Sequence, residues 1–140
     1  MNKKGFTLTE LLAVVAIIGI LSLVAIPNII GIVDNIRKDN MVDDAKKLIS
    51  LAKMEINSDY ESRISGYKKI MYDVLNKNKD IKKDPDGGEY LSESYVEYKN
   101  ESGIATYCIY LEGEKRKIGT STNCVMENAL ENSDIVQSTN

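Results

Sequence analysis

The chain of 140 residues contains no histidine and no tryptophan. Histidine is the side chain most often used as a general base and as a metal ligand, so its absence removes the usual centre of both kinds of site. No nucleophile and base stand together at a spacing typical of a catalytic motif. The composition therefore favours a protein that is not an enzyme and that holds no cofactor and no metal.

The chain also lacks an excess of positive charge. It has 18 Lys and Arg residues and 21 Asp and Glu residues, which gives a formal net charge of −3. General affinity for nucleic acid requires a clustered positive face, so no specific nucleic-acid partner is predicted. The short basic runs KDIKK and EKRK are typical of solvated loops. Asp80, Asp84 and Asp86 alternate with lysines and do not have calcium-loop spacing, which favours a solvated turn over a calcium site.

An uncharged stretch covers residues 11–33, between Glu10 and Asp34. As a helix it would measure about 34 Å, enough to cross a hydrocarbon core of about 30 Å. Lys3 and Lys4 precede it, so the positive-inside rule places the N-terminus in the cytoplasm and residues 34–140 outside. A cleaved secretory signal fits poorly, because the run is too long and Leu23 occupies a position where a small residue is needed.

Beyond Asp34 the apolar positions recur at three- and four-residue steps: Met41, Ala45, Leu48, Ile49, Ala52 and Ile56. That period predicts one helix from about residue 6 to about residue 57, apolar all round over 6–33 and on one face afterwards. Pro27 is predicted to kink it, and Gly19 lowers helix propensity nearby. The alternative is that a membrane helix simply tolerates both residues.

The remaining sequence predicts an α+β fold. A second, shorter helix is predicted over roughly 61–78, with Ser58 or Asp59 as its N-cap, although Gly66 weakens the pattern. Residues 79–90 are predicted as a loop, and an antiparallel meander follows at about 93–99, 104–111 and 115–120. The tail is expected to add one short helix or strand. The eight tyrosines are interpreted as core and cross-strand packing.

The segment KKGFTLTELLAVVAIIGILSLVAIPN resembles the N-terminus of type IV pilins and their pseudopilin relatives, over about the first 35 residues. The resemblance implies a long N-terminal helix packed on a small antiparallel β-sheet. It also implies a leader of residues 1–5, with basic Lys3 and Lys4, which a prepilin peptidase removes between Gly5 and Phe6 before Phe6 is N-methylated. Glycine suits that position because it lets an enzyme approach the peptide bond closely.

The resemblance assigns Glu10 to filament assembly. A carboxylate in an apolar bundle is costly unless it is paired. In the family this glutamate neutralises the N-terminal amine of a neighbouring subunit, which makes it a register device. The alternative is an interfacial glutamate that reaches the lipid headgroups and does nothing more. Gly19 to Pro27 corresponds to the stretch that is often locally unwound in assembled pili.

Cys108 and Cys124 lie in the part predicted to be extracellular, where a disulfide can persist. Many pilins close a C-terminal loop in this way, and closing about 15 residues contributes roughly 3 kcal/mol in the chain-entropy model. Two free buried thiols are the alternative, in particular for an anaerobic host.

The implied function is that of a structural subunit of a type IV pilus, held in the cell membrane before assembly and exposed at the cell surface afterwards. Its implied partners are the prepilin peptidase, other pilin subunits, and the assembly ATPase with its membrane platform. Adhesion, twitching motility or aggregation would be properties of the filament. The alternatives are a minor pilin or pseudopilin of a competence or type II secretion-like machine, and a single-span membrane-anchored binding protein.

Overall fold

The computed structural model describes residues 5–138, and within that range residues 25–28 are described only as helical backbone. The chain divides into two compact units, Met1–Ile36 and Arg37–Asn140. The predicted long N-terminal helix and small antiparallel sheet are both present, so the α+β fold class is confirmed.

Helix α1 runs from Leu8 to Ser58 and belongs in part to each unit. In the first unit its large apolar side chains are exposed wherever they are described. In the second unit the apolar positions at helical spacing are buried: Met41, Val42, Ala45, Leu48, Ile49, Ala52 and Ile56. The helix is therefore apolar all round in one unit and apolar on one buried face in the other, as its periodicity predicted.

The second unit contains a six-stranded antiparallel sheet, β1 Tyr67–Met71, β2 Tyr95–Glu101, β3 Ile104–Glu112, β4 Arg116–Ile118, β5 Val125–Met126 and β6 Ile135–Gln137. The strands lie in the order β1-β2-β3-β4-β6, and β5 also pairs with β3. The predicted meander corresponds to β2, β3 and β4. The tail adds β5 and β6 with two 3₁₀ turns, Glu127–Ala129 and Asn132–Asp134.

The prediction of one helix over residues 61–78 is wrong. Helix α2 covers only Tyr60–Ser65, capped by the Asp59 carboxylate, which accepts hydrogen bonds from two backbone N–H groups. Gly66 ends it in the left-handed conformation, at φ 69°. Tyr67–Met71 then pairs residue by residue with β2, and helix α3 is a single turn, Tyr72–Leu75. The pairing with β2 overrides a helical pattern that the glycine had already interrupted.

The inner face of the sheet packs on α1 through Ile70, Val96, Tyr98, Ile109, Leu111 and Ile118. Tyr98 and Tyr107 pair across β2 and β3, with ring centroids 5.3 Å apart. Alternate residues of each strand face the other side of the sheet. On that outer face Tyr95 and Tyr110 pair across β2 and β3, with ring centroids 5.6 Å apart. The tyrosines of β2 and β3 are thus packing residues, as predicted.

Gly66 offers a test of the α2–β1 junction. A Cβ on Gly66 would lie 3.0 Å from the backbone oxygen of Asn100, in addition to the strain of a positive φ. We expect Gly66→Ala to lower the free energy of unfolding by about 2 kcal/mol or more. The measurement is thermal unfolding of the detergent-solubilised chain, followed by near-ultraviolet circular dichroism of the tyrosines.

Gly103→Ala is the matched control, because Gly103 also has a positive φ of 88° but an added Cβ would meet nothing within 4 Å. Gly103→Ala should lower the free energy of unfolding by about 1 kcal/mol, which is the effect of backbone strain alone. Equal losses in the two variants would contradict the role assigned to the close approach between Gly66 and β2.

Asp44 is a partly buried acid on α1 that accepts a hydrogen bond of 2.8 Å from the Tyr90 hydroxyl. Burial raises the pKa of Asp44, and the hydrogen bond from Tyr90 offsets only part of that effect. The folded chain therefore holds this proton more tightly than the unfolded chain. It follows that the contribution of Asp44 to stability is greatest at acid pH and falls as the pH rises through the raised pKa.

We expect Asp44→Asn to raise the melting temperature at pH 7, because the amide oxygen still accepts from Tyr90 and no buried charge remains. The gain should shrink towards pH 4, where the wild-type carboxyl becomes protonated. Melting curves at both pH values measure this, with Asp43→Asn on the exposed side of α1 as the control. A loss of stability in Asp44→Asn at pH 7 would show that the ionised form is the favoured one.

Candidate functional site

Residues 5–7 precede α1 and form no regular secondary structure. Phe6 is 84% exposed, and a Cβ added to Gly5 would meet no atom within 4 Å. Among the residues that the structure describes, none makes a contact that requires glycine at position 5 or phenylalanine at position 6. Lys3 and Lys4 of the predicted leader lie outside the described residues.

Glu10 is held by Thr7 in the first turn of α1. Its Oε2 accepts hydrogen bonds from the Thr7 backbone N–H at 2.8 Å and from the Thr7 hydroxyl at 3.0 Å. The Glu10 backbone N–H donates in return to Thr7 Oγ1 at 3.3 Å. This is a reciprocal capping box, and the T-x-x-E spacing of TLTE was a sufficient sequence signal for it. The family resemblance assigned Glu10 to filament assembly only, and this local role was not predicted.

The described large apolar side chains of α1 between Thr7 and Ile36 are exposed, and the described polar residues among them are Thr9, Glu10, Ser22, Asp34 and Asn35. The Ser22 hydroxyl donates to the Ile18 carbonyl at 2.7 Å, so that polar group is satisfied within the helix. Cβ atoms at Gly19 and Gly31 would meet nothing within 4 Å. The side chain of Pro27 falls outside the described residues, and the predicted kink stays a prediction.

Within the described residues, no single helix meets a length and hydropathy criterion for crossing a membrane. Two segments of α1, Leu8–Val24 and Ile29–Ser58, meet it together across a bend of 49°. That result rests on length and composition, and a signal sequence near an N-terminus would satisfy the same criterion.

Cys108 and Cys124 are joined by a disulfide, with their Cα atoms 5.4 Å apart. The bond ties β3 to the segment before β5 and closes the loop that contains Ser121. The Ser121 carbonyl accepts a hydrogen bond from the Tyr95 hydroxyl at 3.2 Å. The loop thereby contacts Tyr95 on the outer face of the sheet. The Glu97 carboxylate lies within 4.8 Å of both sulfurs, but bonded sulfurs are not thiolate ligands for a metal.

The prediction of a solvated turn around Asp84 and Asp86 is wrong. Asp84 is 5% exposed, and its carboxylate accepts from the backbone N–H groups of Asp86, Gly88 and Glu114 at 2.6–3.0 Å. A Cβ on Gly113 would lie 2.5 Å from the Asp84 carboxylate, so glycine is required there. The buried carboxylate fastens the loop after α3 to the turn between β3 and β4.

Asp86 is enclosed by two arginines. Its side chain is 1% exposed and makes two hydrogen bonds with the Arg116 guanidinium, at 2.8 and 3.1 Å. Arg37 on α1 approaches the same carboxylate at 3.2 Å. Because both arginines already neutralise this carboxylate, Asp86 acts as a structural anchor between α1 and β4.

The comparisons with known proteins concern the N-terminal segment. The family model described as the prokaryotic N-terminal methylation motif matches residues 1–26. The motif indicates a type IV pilin-like prepilin and points to a structural protein. It implies processing by a prepilin peptidase and anchoring in a membrane before assembly. Neither a curated protein sequence nor a solved structure matches the chain.

Asp86→Asn tests the anchor. The amide keeps an acceptor oxygen but leaves two guanidinium groups without their counter-charge. We expect the free energy of unfolding to fall by about 2 kcal/mol, less than for a fully buried pair because the Arg37 side chain is partly exposed. Asp80→Asn, in the exposed part of the same loop, should change stability little. Equal melting temperatures for the two variants would contradict the anchoring role.

Proposed function

We propose that the chain is the structural subunit of a type IV pilus, made as a prepilin and polymerised through its N-terminal helix. In this proposal, residues 1–5 are the leader and residues 6–33 span the membrane and later form the filament core. Residues 34–140 form the extracellular head. The observation that carries the proposal is the match of the methylation motif to residues 1–26, in a chain whose α1 exposes apolar side chains throughout the first unit.

The exposure of Gly5 and Phe6 supports cleavage between them. The peptide bond precedes α1, and no described side chain crowds Gly5. A peptidase can therefore bind this segment in extended form without unfolding the helix. Cleavage creates a new amine on Phe6, four residues before Glu10, and methylation of that amine keeps its positive charge.

The contacts of Glu10 suggest how its charge is kept satisfied before and after polymerisation. In the single chain, Thr7 supplies two donors to the carboxylate. In a bundle of apolar helices an ionised carboxylate needs a counter-charge, and the Phe6 amine of a neighbouring copy has the correct sign. A neighbour in the wrong register would leave both charges unpaired in apolar surroundings.

The apolar surface of α1 also explains why assembly would need energy input. Lipid tails are about as apolar as the side chains that contact them, so exchanging lipid for neighbouring helices yields little hydrophobic gain. Lifting the helix out of the bilayer must therefore be driven by the assembly ATPase, acting through its membrane platform. Packing against other copies then keeps the extracted surface away from water.

Two other functions use the same features. A minor pilin or pseudopilin of a competence or type II secretion-like machine would share the leader, Glu10 and the apolar helix, and would be scarce in filaments. A single-span membrane-anchored binding protein would need neither cleavage nor Glu10. We favour the pilus subunit, with adhesion, motility or aggregation as properties of the polymer, and we propose no catalytic activity or cofactor.

The first test is mass spectrometry of the N-terminal peptide from the native host. We expect a chain that starts at N-methylated Phe6. An intact leader would overturn the proposal in favour of the membrane-anchored binding protein. The amount of the chain in sheared surface filaments, compared with other subunits, separates a major pilin from a minor component.

The second test replaces Glu10. We expect Glu10→Leu to reduce the chain in sheared filaments about tenfold or more, because the amine of each neighbour loses its counter-charge. The level of mature, disulfide-bonded chain in the membrane should be unchanged. Thr9→Leu, a substitution to the same residue at the adjacent position, is the matched control. Normal filament yield in Glu10→Leu would contradict the assembly role.

A further inference from the structure

The disulfide and a glutamate lie together on the outer face of the sheet. Glu97 of β2 is the cross-strand partner of Cys108 of β3, so their side chains project side by side from the same face. The Cys124 sulfur reaches the same place from the segment before β5. One ligand atom from each of the three residues lies within 4.8 Å of the other two.

The three side chains supply ligand types that suit zinc. Zn²⁺ is bound in proteins by cysteine thiolates and carboxylates, and three such ligands leave a fourth tetrahedral position for water. The bonded sulfurs of the oxidised chain cannot serve, but two thiolates can. Zinc–sulfur bonds of about 2.3 Å place tetrahedral sulfur ligands about 3.8 Å apart. Because the Cα atoms of the two cysteines are 5.4 Å apart, their sulfurs can reach that separation by side-chain rotation.

Glu97 is already oriented towards the sulfurs by two neighbours. Its carboxylate accepts from the Lys99 ammonium at 2.7 Å and from the Tyr67 hydroxyl at 3.3 Å, and its side chain is only 13% exposed. An ionised carboxylate has about four acceptor positions, so both contacts leave lone pairs for a metal. Outer contacts of this kind commonly fix metal-binding carboxylates.

Lys99 also balances the charge of the proposed site. One Zn²⁺ ion with two thiolates and one carboxylate carries a single net negative charge. The ammonium of Lys99 is hydrogen-bonded to that carboxylate and offsets the charge. A metal-loaded site therefore leaves no net charge on the outer face of the sheet.

An open cavity gives access to the site from solution. It has a volume of about 540 Å³, and Glu97, Cys108, Thr106 and Met126 contribute to its walls. Cys108 itself is 6% exposed, so the cavity is the route by which a metal ion or a reductant reaches its sulfur. A water molecule in the cavity can occupy the fourth position on the metal.

We propose that, when Cys108 and Cys124 are reduced, their thiolates and the Glu97 carboxylate bind one Zn²⁺ ion. The ion then cross-links β3 to the segment before β5, as the disulfide does in the oxidised chain. A newly made chain begins with reduced thiols, since disulfides persist only in oxidising surroundings. The inference goes beyond the proposed function, because it concerns the second unit alone and requires no polymerisation.

The two forms interconvert by balanced steps. A phosphine supplies the two electrons that reduce the disulfide; with one water molecule, the products are two thiols and a phosphine oxide. Zn²⁺ then displaces the two thiol protons, so its binding strengthens as the pH rises. A chelator that removes the zinc regenerates the dithiol, which an oxidant closes to the disulfide by removing two electrons and two protons.

Titration with Co²⁺ and then Zn²⁺ tests the proposal in the full-length, detergent-solubilised chain, prepared without a histidine tag. The sequence contains two cysteines and no histidine, so a thiolate-to-cobalt absorption band can come only from this pair. We expect the band in the phosphine-reduced chain, its loss when Zn²⁺ is added, and no band in the oxidised chain. Zn²⁺ at about 100 times its dissociation constant should raise the melting temperature of the reduced chain by about 5 °C or more.

Glu97→Gln distinguishes a three-ligand site from a simple pair of thiols. The amide has nearly the same size but is not an anionic ligand, so the dissociation constant for Zn²⁺ should rise about tenfold or more. Glu101→Gln is the matched control, because Glu101 lies on the same strand and lines the same cavity. Its dissociation constant should stay within about twofold of wild type. Cys124→Ser should abolish the cobalt band.

Two results would overturn the proposal. The first is a reduced wild-type chain without a cobalt band. The second is equal zinc affinity in wild type and Glu97→Gln, because the thiols would then bind the metal without the carboxylate, as they would in an unfolded chain. Neither result bears on the proposed function. Conversely, an intact leader in the native host would overturn the pilus subunit and leave the zinc site untouched.

Discussion

The fold of the second unit depends on the contact between one stripe of α1 and the inner face of the sheet. Ala45, Ile49 and Ala52 are completely buried there. Val96, Ile109 and Leu111 of the central strands meet that stripe. Without the helix, the sheet would expose its whole apolar inner face to water, and the free energy gained by burying that face would be lost.

The parts that sequence alone predicted well are those with a long period or a composite motif. The helical spacing from Met41 to Ile56 extends over four turns, and few other structures are compatible with it. The N-terminal motif combines several residue types in a fixed order. The central strands were also predictable, because Tyr95 to Glu112 alternates or is rich in β-branched and aromatic residues around a glycine turn.

The parts that sequence did not predict depend on partners distant in the chain. Tyr67–Met71 becomes a strand because β2 pairs with it, and its own residues fit a helix equally well. Strands of two or three residues, such as β5 and β6, exist only through their pairing with β3 and β4. Asp84 and Asp86 resembled solvated turn residues because the two arginines and the Glu114 N–H that help to bury them come from other segments.

The last strand of the sheet has a consequence for when the second unit can fold. Ile135 of β6 is buried beside Ile118 of β4, and the Ser138 hydroxyl donates to Glu112. The core therefore remains incomplete until residues 135–138 have been synthesised. The disulfide can form earlier, since Cys124 precedes β6. A chain that ends before Ile135 would lose β6, an edge strand of the sheet, and should be recognised by proteases as incompletely folded.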